Sequence, residues 1–92
     1  MGEMRKVSIA CTDGVQVRFV VAGEGEARDV ISAIDRRATD GHYVFTVVED
    51  VFGNPVALDA SHVVAVCVTA LSDSEERDVM DTFREHESGF PE

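Results

Sequence analysis

The 92 residues amount to a single domain, and 45% hydrophobic with 28% charged residues is the composition of a packed globular core, not of a disordered segment. Eight Arg and Lys stand against 18 Asp and Glu, a net charge of −10, so phosphate backbones and anionic membranes are repelled and direct nucleic-acid or membrane binding is not expected. No run approaches the roughly 20 apolar residues of a bilayer span, and the apolar run after Arg5 and Lys6 is too short for a signal-peptide core, so a cytoplasmic location is expected.

Residues 4–22 alternate with period two. Val7, Ile9 and Cys11 fall on one side of a first strand, and Val15, Val17, Phe19 and Val21 on one side of a second. Thr12-Asp13-Gly14 is the turn between them. A two-residue loop would oppose Ile9 to Arg18 and split the apolar set. A three-residue loop opposes Cys11 to Val15, Ile9 to Val17 and Val7 to Phe19, and so predicts a hairpin with Gly14 in the left-handed region.

Gly23-Glu24-Gly25 ends that strand. Over 26–38, Ala27, Val30, Ile31, Ile34 and Ala38 recur at helical spacing, with Glu24 and Glu26 suited to the positive end of the helix and Arg36 and Arg37 to the negative end. Strands are then expected at 43–48, 56–58 and 63–69. Gly53-Asn54-Pro55 turns between the first two, and Asp59 begins a short turn or caps a single helical turn before the third. Residues 63–69 are apolar on both faces, as in a strand covered on both sides or an edge buried by a second copy of the chain. Cys11 and Cys67 lie inside expected strands with no metal-ligand or redox spacing, and read as buried free thiols.

Ser72 and Glu75 form a capping box that opens a second helix to about His86. Its apolar stripe is narrow, only Val79, Met80 and Phe83, among Asp73, Glu75, Glu76, Asp78, Asp81 and Glu85. Residues 72–92 carry two basic against eight acidic residues, whereas 1–71 carry six against ten. Two units follow: a core domain, 1–71, and an acidic C-terminal helix and tail, 72–92, which is either part of that domain or an extension facing a partner.

No phosphate-binding loop, zinc-protease helix, nucleophile elbow or calcium loop is present. His42, His62 and His86 sit at the margins of elements. His62 with Asp59 and Ser61 is explained by turn chemistry, since residues so close in sequence seldom converge on one substrate atom. No catalytic residue, cofactor or metal is expected. The pattern Gly53-x-Pro55-Val56-x-Leu58-x-x-x-His62-Val63-Val64-x-Val66 resembles the strand–turn–strand ending of small uncharacterised β-rich proteins of high-GC bacteria and their phages. That resemblance implies no activity and no site residues.

The expected fold is therefore α+β, in the order ββαβββα, with one antiparallel sheet of about five strands, one helix packed on it and an acidic C-terminal helix. The expected function is a non-enzymatic protein-interaction or regulatory module that self-associates as a homodimer. It would use an apolar strand edge and the helix residues Glu75, Glu76, Asp78, Val79, Met80, Asp81 and Phe83, with a basic protein surface as a further partner. Two other classes fit the same residues: an acidic inhibitor that mimics nucleic-acid charge to block a basic protein, and a small ligand-binding protein or enzyme with its site at an oligomer interface.

Overall fold

A computed structural model describes residues 3–40 and 45–88, with side chains over 3–36 and 45–85. The elements run β1 (Arg5–Cys11), β2 (Gln16–Val21), α1 (Glu24–Asp40), β3 (Phe45–Glu49), β4 (Pro55–Asp59), a single 3-10 turn (Ala60–His62), β5 (Val63–Ala70) and α2 (Asp73–Ser88). This is the expected α+β order, though α1 starts two residues before the expected Glu26. His42 and Tyr43 lie outside the described residues.

The N-terminal hairpin has the register that burial demanded: Val7 opposes Phe19 and Ile9 opposes Val17. The Gly14 N–H donates to the Cys11 carbonyl at 3.0 Å, and Gly14 has φ 85°, the left-handed conformation that glycine adopts without steric cost. Asp13 secures the turn by accepting the Val15 N–H at 3.1 Å.

The expectation of one five-stranded sheet is not met. The strands form a three-stranded antiparallel sheet, β2-β1-β5, and a separate two-stranded sheet, β3-β4. The cause lies in the link between β4 and β5. The Asp59 carboxylate accepts the Ser61 N–H at 3.1 Å and caps the 3-10 turn, which redirects the chain. The His62 carbonyl then accepts the Thr12 N–H at 2.8 Å, placing the start of β5 beside the β1–β2 turn, so β5 pairs with β1 instead of folding back on β4. A backbone bond from Val51 N–H to the Val20 carbonyl, 2.7 Å, ties the β3–β4 loop to β2.

Val7, Ile9, Phe19 and Val21 from the three-stranded sheet, Ala27, Val30 and Ile34 from α1, and Leu58 and Ala60 form one buried core. Helix α1 thus covers one face of the sheet, and the inner side of the β3–β4 hairpin closes the same core. Thr46, only 5% exposed, opposes Leu58 across that hairpin, and among the described residues its hydroxyl has no hydrogen-bond partner.

Candidate functional site

Strand β5 is the first candidate surface. It pairs with β1 along one side, and among the described residues no strand pairs with its other side. Its sequence, VVAVCVTA, holds none of the chain's 18 acidic residues and no basic one. Val66 and Val68 oppose Ile9 and Val7 and lie half-buried against the core. Ala65, Cys67 and Thr69 oppose Ala10, Ser8 and Lys6, face away from that core and are exposed. Cys67 is therefore not the buried thiol the sequence implied; Cys11, on the core side, is half-buried. A register shift between Ala10 and Cys11 leaves Val64 as the extra residue of a bulge, 66% exposed. Beyond it, 65–70 form a regular edge. Unpaired edges are usually blunted by Lys, Pro or a cover; here the bulge does this only at the first end.

Helix α2 is the second. The capping box forms as expected: the Glu75 N–H donates to the Ser72 hydroxyl at 3.2 Å and the Ser72 N–H to the Glu75 carboxylate at 2.9 Å. The second Glu75 oxygen accepts the Lys6 ammonium at 2.6 Å. The bonds from Lys6 and then Ser72 hold the Glu75 carboxyl down from its ordinary 4.5 to about 2. This bond ties the first turn of α2 to β1.

The expected partner-facing residues therefore divide. Val79 is 7% exposed, and the Phe83 ring packs on Phe52 with centroids 4.8 Å apart; these two, with Glu75, tie α2 to its own domain. Asp78 and Asp81 face solvent, and Asp81 pairs with Arg84 at 3.3 Å. Glu76 and Met80, the latter 45% exposed, instead line a groove of about 820 Å³ between α2 and the start of α1. Met4, Ala22 and Val51 give it apolar lining, and Glu3, Glu24 and Glu26 line it with Glu76. No pattern in the sequence flags this groove, because its walls come from four separate stretches of chain.

His62 is exposed, with its Nδ1 3.1 Å from the Thr12 hydroxyl and its Nε2 3.4 Å from the Asp59 carboxylate. Asp59 accepts the Ser61 hydroxyl at 2.6 Å. That hydrogen bond is the main reason its carboxyl lies below its ordinary value. The Ser61 hydroxyl thus serves the turn. Cys67 sits at a shallow depression of about 210 Å³ on the open sheet face, with Ser8, Ala10 and Arg18. Among the described residues no group of three or more His, Cys, Asp or Glu is placed to hold a metal ion, and no helix is long and apolar enough to cross a membrane. No family model, curated protein or solved structure matches the chain.

Proposed function

We propose that the protein is a non-enzymatic interaction module that self-associates by pairing β5 with the β5 of a second copy. The observation that carries this reading is the edge 65–70, uncharged and, among the described residues, unpaired, in a chain of net charge −10. Two such acidic molecules repel each other over most of their surface, and β5 is where they meet without opposing carboxylates.

A two-fold axis normal to the sheet pairs the strands antiparallel and keeps both cores on the same side. Only registers that oppose residues of the same face are then compatible. Centred on Cys67, the pairing sets Val66 against Val68 and Ala65 against Thr69; centred on Val68, it sets Val66 against Ala70 and Cys67 against Thr69. Either extends the three-stranded sheet of each copy into one of about six strands. Six residues of edge span about 20 Å, less contact than the roughly 800 Å² per partner of a standard interface. The dimer is accordingly weak and concentration-dependent.

Sedimentation and light scattering over a dilution series test this. Wild type is expected to pass from dimer to monomer on dilution. Cys67→Lys/Thr69→Lys and Cys67→Glu/Thr69→Glu are each expected to be monomeric with an unchanged far-UV spectrum, since both residues are exposed and like charges then face each other in either register. Mixing the two variants is expected to restore a dimer. A wild type that stays monomeric at high concentration, or variants that dimerise as it does, would refute the reading.

A further inference from the structure

We infer that the groove between the start of α1 and the middle of α2 is a docking site for a basic, amphipathic segment of another protein. Part of its lining is apolar and adaptable. Neighbouring residues on α2 have opposite fates: Val79 is buried in the protein's own structure, whereas Met80 stays 45% exposed beside Met4 and Val51. Methionine is unbranched and polarisable, so it adapts to varied apolar side chains. A groove of about 820 Å³ has room for several of them.

Charge selects the occupant. Glu3 pairs with Arg5 at 3.4 Å and Glu24 with Arg28 at 3.1 Å, but among the described residues Glu26 and Glu76 make no ion pair. The positive end of α1 contributes only about half an elementary charge, less than those two carboxylates. The site therefore favours lysine or arginine set among aliphatic side chains. It disfavours anionic ligands and also a second copy of this chain, whose net charge is −10. The groove lies apart from β5, so this inference does not depend on self-association.

The probe is a fluorescently labelled Lys/Leu peptide with an apolar stripe, titrated with the full chain and followed by anisotropy. Binding is expected, weakening as salt rises. Glu26→Gln/Glu76→Gln is expected to weaken it by about tenfold or more, roughly the combined effect of two charge-assisted contacts. Asp73→Asn/Asp78→Asn removes the same charge elsewhere on the surface and is expected to change binding less than about twofold. Met80→Ser is expected to weaken binding of the Lys/Leu peptide while leaving the melting temperature near that of wild type. Absence of binding, equal losses in the two charge variants, or equally tight binding of a Lys/Ser peptide of the same charge would overturn the inference.

Discussion

Two residues test the physical account most directly. Opposite Leu58, the Thr46 hydroxyl is buried with no partner among the described residues, and an unsatisfied buried hydroxyl costs about 1–3 kcal/mol. Thr46→Val keeps the shape and removes the orphaned group. It is expected to raise stability by about 1 kcal/mol, a melting-temperature increase of roughly 4–8 °C for a domain of this size. Glu75 gives a pH signature. Its carboxyl is lowered from 4.5 to about 2 by Lys6 and Ser72, so the native state favours the charged form. The stabilisation is complete above pH 4.5 and is lost as pH falls towards 2. In Glu75→Gln the amide still caps the helix, but the pH-dependent part is gone. The melting-temperature gap between wild type and variant is expected to be widest near neutral pH and to close between pH 4.5 and 2. A gap that does not change with pH would mean that the charge of Glu75 adds nothing to the stability of the native state.

At the scale of elements, local patterns proved most readable where one short stretch contains both the signal and its partner. The Thr12-Asp13-Gly14 turn, the Asp59 cap and the Ser72–Glu75 box are of this kind, and each forms with the expected partners. Helix α2 was readable as a helix but not as a docked one. Three apolar residues among carboxylates fit a helix docked on its own sheet and one extended towards a partner equally well. Lys6 and Phe52, distant in sequence, supply the contacts that dock it. Val79→Ala is expected to cost about 1–3 kcal/mol in denaturant unfolding, and Met80→Ala less than about 0.5 kcal/mol, because only Val79 is buried. Equal small effects would indicate that α2 does not pack on its own domain.

For the whole molecule, the partition into two sheets sets which surfaces remain available. Had β4 and β5 paired as a hairpin, β5 would have sat inside a continuous sheet and its apolar faces would have needed no further explanation. Because the 3-10 turn sends β5 to β1, the least charged strand of an acidic chain lies at an edge, and the proposed self-association follows from that placement. The same arrangement gathers Met4, Glu26, Val51 and Met80 around one groove. Composition, period-two and helical spacing, turn residues and caps determined the α+β class, the element order and the first hairpin's register, since these depend on neighbours a few residues apart. The split of the sheets, the exposure of Cys67, the docking of α2 and the existence of the groove were decided only in three dimensions, because each depends on which distant strands and helices share a surface.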